Sequence, residues 1–190
     1  MYHNDIHLTK NTDMFSYREI KNKIENDYLT AKSVNDMRFY LLCLMALESG
    51  ARVSDLLQLE FNAIDLKNNI ISYKNNKSKK NQEQMVSDNL ISYINRYKST
   101  IIELGVFSNN IFYNANKGAI LSRVTANRRT QKEYKINFHE LRKISGKNIA
   151  NQRGVVLASK FLGHSKVSTT DIYLSISKND YLNQMKSIDI

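Results

Sequence analysis

An apolar run of nine residues, at positions 39–47, constrains the fold of this 190-residue chain most strongly. Ser33 offers a helix N-cap before the run and Gly50 a helix stop after it, so a helix is predicted between them. The run is too short to span a membrane and has charged residues on both sides. We therefore expect this helix to form the centre of the core. Its predicted inward-facing residues are Met37, Leu41, Leu44 and Met45.

Caps and periodicity predict a mostly α-helical domain with a small three-stranded antiparallel sheet, an α+β fold. Strands at 63–66 and 70–73 form a hairpin, and a third strand is predicted at 84–86, after a basic loop. Residues 114–119 read as a loop. The other predicted helices begin at the N-caps Ser16, Ser87, Ser122, Asn137, Ser168 and Ser177, with a further helical segment at 155–162.

The charge of the chain is unevenly distributed. Residues 1–72 carry 8 Lys and Arg against 10 Asp and Glu, whereas residues 73–190 carry 20 against 8. The formal net charge of +10 therefore lies entirely in the second part. A field of this sign favours a polyanionic partner such as nucleic acid, although a merely basic soluble protein would show the same balance.

A single cysteine, Cys43, excludes an internal disulfide and any zinc site made of several cysteines. It lies within the apolar run, where it is expected to behave as a small buried hydrophobe. The amino-terminal residues are polar and lack the pattern of a secretory signal. These features predict a cytoplasmic protein that is not secreted and has no membrane segment.

Four places combine side chains that suit phosphate chemistry. Arg52 follows the Gly50 helix stop, and His139 and Arg142 share one helix face because they are three residues apart. His164 follows a glycine, and Tyr173 comes nine residues later. Each has an ordinary structural interpretation: Arg52 could pair with a carboxylate, the His/Arg face could be solvated, and Tyr173 could be a packing residue.

The order of these residues resembles the catalytic domain of tyrosine recombinases, the phage integrase family, over about residues 33–181. Segment 50–56, Gly-Ala-Arg-Val-Ser-Asp-Leu, is similar to the first-arginine box of the family. His-Glu-Leu-Arg at 139–142 matches His-x-x-Arg, and Leu-Gly-His-Ser at 162–165 with the later tyrosine matches the closing box. The resemblance implies that Tyr173 is the nucleophile. It implies phosphate-binding and proton-handling roles for Arg52, His139, Arg142 and His164.

The family also has a catalytic lysine between the second and third strands, eight residues before a proline. Ser87 stands at the position of that proline in this chain, and the eighth residue before Ser87 is Lys79. Lys77 and Lys80 are neighbours in the same loop and are expected to contact the DNA backbone. A further departure from the family is Lys143, where many relatives have histidine.

This chemistry needs a nucleophile, cations for the phosphate oxygens and an acid for the departing oxygen. Two arginines can each grip two phosphate oxygens and do not lose their charge. A phenol has a pKa of about 10, and a cationic pocket would favour its ionised form. We expect no metal and no cofactor. The resemblance implies a 3′-phosphotyrosine intermediate, a free 5′-hydroxyl and rejoining without ATP.

The expected partner is double-stranded DNA that carries specific recombination sites. DNA recognition is assigned to the basic helix over 122–134 and to the helix that follows it. The resemblance implies a homo-tetramer on DNA formed from monomers in solution. The residues predicted to bind DNA, besides the two loop lysines, are Arg123, Arg128, Arg129, Lys132, Lys143 and Lys147.

The chain reads as one catalytic domain over residues 1–190, with a core at about 33–181. The stretch before the core helix is too short for the separate DNA-clamping domain that family members usually carry. Residues 182–190 form a tail with an apolar stripe. This tail either docks on a neighbouring subunit or packs on its own core.

Two other functions fit the same residues. A type IB topoisomerase uses a similar set and would relax supercoils without recombination. An accessory DNA-binding protein would leave the tyrosine idle. Among recombinase reactions, the sequence leaves integration, excision, inversion and resolution open.

Overall fold

The computed structural model describes residues 16–76, 79–163, 182, 185, 186 and 188. The helices in this part of the chain are α1 (Tyr17–Leu29), α2 (Val34–Ser49), α3 (Val53–Leu56), α4 (Asp88–Glu103), α5 (Arg123–Tyr134), α6 (Phe138–Arg153) and α7 (Val155–Phe161). The strands are β1 (Ile64–Asp65), β2 (Ile70–Lys74), β3 (Asn81–Met85), β4 (Tyr113–Asn114) and β5 (Ala119–Ile120). The predicted α+β class, mostly helical with a small three-stranded antiparallel sheet, is confirmed.

Helix α2 lies at the centre of the core, as predicted. Every residue from Leu41 to Leu47, including Cys43, is 0% exposed. A helix can be apolar on all its faces only if it is covered on all sides, and α1, α4 and α6 pack against this one. The helix ends at Gly50, whose φ of 58° is left-handed.

Side-chain caps begin the helices at the predicted residues. Ser16 and Asn137 each form a complete capping box with the glutamate three residues later. Ser33, Ser87 and Ser122 also accept a hydrogen bond from the first turn of the helix that each begins. The helices predicted from Ser168 and Ser177 lie outside the described residues.

The three-stranded sheet has the order β1-β2-β3, and its strands are antiparallel. Strand β3 begins at Asn81, three residues before the predicted start, because Asn81 pairs with Lys74 of β2. Its polar residues have low intrinsic strand preference, and the ladder to β2 outweighs it. Strands β4 and β5 form a second small sheet where a loop was predicted, since two-residue strands leave no alternating pattern.

A second, smaller apolar cluster lies beside the main core. It joins Met85 of the sheet and Phe161 of α7 to the carboxyl-terminal residues Met185 and Ile188 of the same chain. Met185 is fully buried. No described helix combines the length and the apolar character that crossing a membrane requires.

A buried carboxylate connects three helices. Glu48, in the last turn of α2, is 1% exposed and accepts hydrogen bonds from the main-chain N–H and the hydroxyl of Ser87, at 2.8 and 2.9 Å. Lys21 of α1 forms an ion pair with the same carboxylate at 3.2 Å. Ser87 is the N-cap of α4, so Glu48 ties the end of the sheet to α1 and α2.

Replacement of Glu48 should destabilise the fold. Glu48→Ala removes the shared acceptor of Ser87 and Lys21 from a buried position, and we expect the free energy of unfolding to fall by about 3 kcal/mol. Urea unfolding at equilibrium measures this change. Glu60→Ala is the control, since this exposed side chain accepts one hydrogen bond from Asn62 and its loss should cost less than about 0.5 kcal/mol. Equal losses in the two variants would contradict the prediction.

Candidate active site

Arg52 is positioned by the sharp end of α2. At Gly50, an added side chain would collide with the ring of Phe161, so the left-handed turn is closely packed. Two residues later, Arg52 has an extended backbone and occupies the N-cap position of α3. Its half-buried guanidinium donates from Nη1 to Oδ1 of Asn75 at 3.1 Å.

Arg142 connects two of the sequence boxes. It lies on α6, is 6% exposed, and donates from Nη1 to the carbonyl of Gly50 and from Nη2 to the carbonyl of Leu162. Leu162 stands two residues before His164 in the sequence. Burial and the nearby charge of Arg52 lower the pKa of Arg142 to about 10, so the side chain stays cationic at neutral pH.

His139 lies one turn before Arg142 on the same face of α6. His139 is exposed, but desolvation of its ring by the residues around it lowers its pKa, and the charges of Lys143, Arg142 and Arg52 lower it further. The imidazole is therefore neutral at neutral pH, and a neutral imidazole has one nitrogen that can accept a proton. The contact of Arg142 with the carbonyl of Gly50, two residues before Arg52, brings α6 beside the start of α3, and the charge of Arg52 contributes to the lowered pKa of both α6 residues. We call Arg52, His139 and Arg142 the cationic cradle.

Of the remaining predicted catalytic residues, the structure describes Lys79. Lys79 is exposed in the loop between β2 and β3, and its main-chain N–H donates to the carbonyl of Asn75 at 2.7 Å. Lys80 is also exposed, in the same loop. Lys77, His164 and Tyr173 lie outside the described residues.

Several polar residues that no sequence motif marks support this site. The hydroxyl of Tyr73 donates to Gln82 at 3.2 Å, and the side chain of Gln82 leaves no space for a Cβ atom at Gly163. Gln84 donates to the carbonyl of Phe161 at 2.7 Å, which fixes the end of α7 to the sheet. Burial raises the pKa of Tyr73 to about 12, so this phenol stays protonated beside the cradle.

The predicted DNA-binding side chains of α5 and α6 differ in exposure. Arg123, Arg128 and Lys132 are exposed on α5. On α6, Lys147 is exposed and Lys143 is half-buried.

Arg129 has a different environment from its neighbour Arg128. It forms ion pairs with Asp36 and Glu133, both at 2.6 Å, and its guanidinium lies 4.2 Å from the centre of the Phe39 ring. Adjacent residues of a helix point in different directions, which turns Arg129 toward α2. Two carboxylates already neutralise its charge, so this position does not support its predicted contact with DNA.

Comparison with known families identifies the family of the chain. The model of the phage integrase family matches residues 15–180, and the chain therefore belongs to that family. No curated protein matches the chain.

Solved structures of tyrosine recombinases share the fold. XerA recombinase has 17% sequence identity and a TM-score of 0.66, over 98% of this chain and 66% of that one. XerH recombinase, solved as a pre-cleavage complex with its difH substrate, has 23% identity and a TM-score of 0.66, over 98% of this chain and 57% of that one. A lambda integrase dimer bound to a COC′ core site has 19% identity and a TM-score of 0.56, over 80% and 57%. The chain thus spans less than two thirds of the length of each.

The low pKa of His139 can be measured directly. Titration by NMR should give a midpoint below the ordinary value of about 6.5 for histidine. Lys143→Gln removes a cation that disfavours the imidazolium, so the midpoint should rise. Lys147→Gln removes the same charge one turn farther from His139 and should leave the midpoint unchanged. An unchanged midpoint in Lys143→Gln would show that this electrostatic account is wrong.

Proposed function

We propose that this chain is a site-specific DNA recombinase that cleaves and rejoins strands through a covalent bond between Tyr173 and DNA. The observation that carries the proposal is the cationic cradle, in which Arg142 is hydrogen-bonded to the chain just before Arg52 and shares one face of α6 with the neutral His139, within a chain of the phage integrase family. The family favours recombination over a topoisomerase or an accessory DNA-binding protein.

In the proposed reaction, Arg52 and Arg142 bind the non-bridging oxygens of the scissile phosphate. The phenolic oxygen of Tyr173 attacks phosphorus, and its proton passes to a histidine of the site, for which the neutral His139 is suited. The bond from phosphorus to the 5′ oxygen breaks, and Lys79 gives a proton to that oxygen. The products are a 3′-phosphotyrosine and a free 5′-hydroxyl.

The buried guanidinium of Arg142 suits stabilisation of the transition state. Two main-chain carbonyls fix its orientation without cancelling its charge. A fixed cation needs little reorganisation when charge develops on the phosphate, and loss of one such donor typically costs roughly 3–4 kcal/mol of activation free energy. The phosphotyrosine retains the energy of the phosphodiester, so the reverse attack by a 5′-hydroxyl needs no ATP, and the two arginines would supply the charge stabilisation that a metal ion gives elsewhere.

The proposed substrate is duplex DNA, bound through phosphate contacts from the exposed cations of α5 and α6. The XerH and lambda integrase structures are complexes with DNA, and the lambda integrase is a dimer on its core site. For this chain we propose a tetramer on paired sites.

The tail was expected either to dock on a neighbouring subunit or to pack on its own core. In the structure, Met185 and Ile188 of the tail are buried in the same chain, which is the second arrangement.

A nicked suicide substrate, which traps the covalent product, tests the reaction. The wild-type protein should form an adduct in the presence of EDTA and without ATP. Tyr173→Phe should form none because it lacks the attacking oxygen, and Arg142→Gln should be slower by about 10²–10³-fold. Tyr113→Phe removes a hydroxyl outside the sequence boxes and should react like the wild type. A full-strength adduct in Tyr173→Phe would refute the assigned nucleophile.

A second assay separates recombination from simple relaxation of supercoils. A plasmid with two copies of the target site should yield recombined products, whereas a topoisomerase would only change the linking number. Relaxation without exchange would favour the topoisomerase alternative.

Substitutions of the two neighbouring arginines of α5 should have different effects, one on DNA binding and the other on stability. Arg128→Gln should weaken DNA binding and reduce the magnitude of the log–log salt slope by about 1, because one phosphate contact is lost. Arg129→Gln should leave that slope unchanged but lower the free energy of unfolding by about 1–2 kcal/mol, because it breaks two ion pairs. Fluorescence anisotropy over a salt series and urea unfolding measure the two effects. A smaller salt slope in Arg129→Gln, with a loss of stability in Arg128→Gln instead, would contradict these roles.

A further inference from the structure

Asn75 lies at the junction between the cationic cradle and the loop that carries Lys79. It is the first residue after β2 and is 1% exposed, although no motif in the sequence marks it. Its Oδ1 accepts a hydrogen bond from Nη1 of Arg52 at 3.1 Å. Among the described residues, it is the hydrogen-bond partner of the Arg52 side chain. The orientation of this arginine therefore depends on a residue of the sheet.

The main chain of Asn75 fixes the other side of the junction. Its N–H donates to the carbonyl of Lys80 at 2.9 Å, and its carbonyl accepts from the N–H of Lys79 at 2.7 Å. Lys79 has a left-handed φ of 59°, which costs a residue with a side chain about 1 kcal/mol or more. Such a conformation persists where surrounding contacts hold it, and these two bonds to Asn75 do so. One residue thus holds both the side chain of Arg52 and the backbone of Lys79.

The next residue strengthens the same connection. Asn76 donates to Oδ1 of Asp55 from its main-chain N–H at 3.3 Å and from Nδ2 at 2.9 Å. Asp55 is buried in α3, the helix that begins directly after Arg52. The start of the loop and the arginine are therefore tied together at two points.

The neutral amide side chain of Asn75 suits its contact with Arg52. A carboxylate would also orient Arg52, but it would neutralise the charge that a phosphate needs. The neutral amide oxygen occupies one N–H of the guanidinium and leaves its positive charge available. Asn75 can therefore direct Arg52 without competing with an anionic ligand.

We infer that Asn75 is a positioning residue, which sets the Arg52 guanidinium and the Lys79 loop at the separation needed to act on one phosphodiester. The inference rests on the proposed function. Arg52 would hold the non-bridging oxygens while Lys79 protonates the departing 5′ oxygen of the same phosphate. Because Asn75 is buried, it would itself touch neither the DNA nor the reacting atoms.

The test compares two suicide substrates that differ in the leaving atom. One has the ordinary 5′ oxygen, and the other has a 5′-bridging sulfur. A thiol has a pKa of about 8.5, so the sulfur departs as a thiolate and needs no proton. A variant that has lost the acid should therefore be defective on the oxygen substrate and recover on the sulfur substrate. Lys79→Ala provides the reference for this pattern.

Asn75→Ala removes the side-chain contact with Arg52, while the main-chain bonds that hold the Lys79 loop remain. A phosphate bound by the displaced Arg52 is then out of line with Lys79, so we expect covalent adduct formation to slow by about tenfold to a hundredfold on the oxygen substrate, with part of this loss recovered on the sulfur substrate, which needs no acid. Asn75→Asp keeps an acceptor for Arg52, so its ratio of rates on the two substrates should stay at the wild-type value even if DNA binding weakens. A ratio in Asn75→Asp that shifts as it does in Lys79→Ala would overturn the inference, and this readout remains if Asn75→Ala folds poorly.

Tyr134→Phe is a matched control for stability. Tyr134 is 1% exposed, like Asn75, and its hydroxyl donates one hydrogen bond to Asp27 at 2.8 Å, between α5 and α1. The control should leave the ratio of rates unchanged. Wild-type rates in Asn75→Ala, or an equal loss on both substrates, would overturn the inference while leaving the proposed function intact. A wild-type protein that forms no adduct at all would reject the proposed function and this inference together.

Discussion

Two main-chain carbonyls and one buried guanidinium determine the geometry of the candidate site. Arg142 reaches from α6 to the carbonyl of Gly50, just before Arg52, and to the carbonyl of Leu162, at the end of α7. These acceptors are neutral, so the guanidinium is oriented while its charge is preserved. The contact joins two segments that lie 112 residues apart in the sequence.

The core makes this arrangement possible. Helix α2 is enclosed by α1, α4 and α6, and its left-handed end directs the chain toward α3. The buried carboxylate of Glu48 links the same helix to the start of α4, directly after the sheet. The sheet in turn presents Asn75 to Arg52. Apolar burial thus fixes the helices, and a small number of buried polar contacts fix the site on them.

The sequence predicted those features that depend on local chemistry. Helix ends were predictable because caps such as Ser16 and Asn137 act within a few residues, and the phosphate-binding candidates stood in recognisable motifs. Asn75 could not be found this way, since its partner Arg52 is 23 residues away and the pairing depends on the fold. Arg129 looked identical to Arg128 in the sequence, and only packing against Phe39 and two carboxylates separates them. Long-range polar contacts leave no periodic pattern in a single sequence.

The burial of Cys43 has a practical consequence for studies in solution. This residue is the only cysteine of the chain, it is 0% exposed, and burial raises the pKa of its thiol. The thiolate is the reactive form, so maleimide reagents should spare this position in the folded protein. A cysteine introduced at an exposed residue such as Gln131 could then carry a single fluorophore without prior removal of the native thiol. Energy transfer to labelled DNA would report how α5 approaches a duplex.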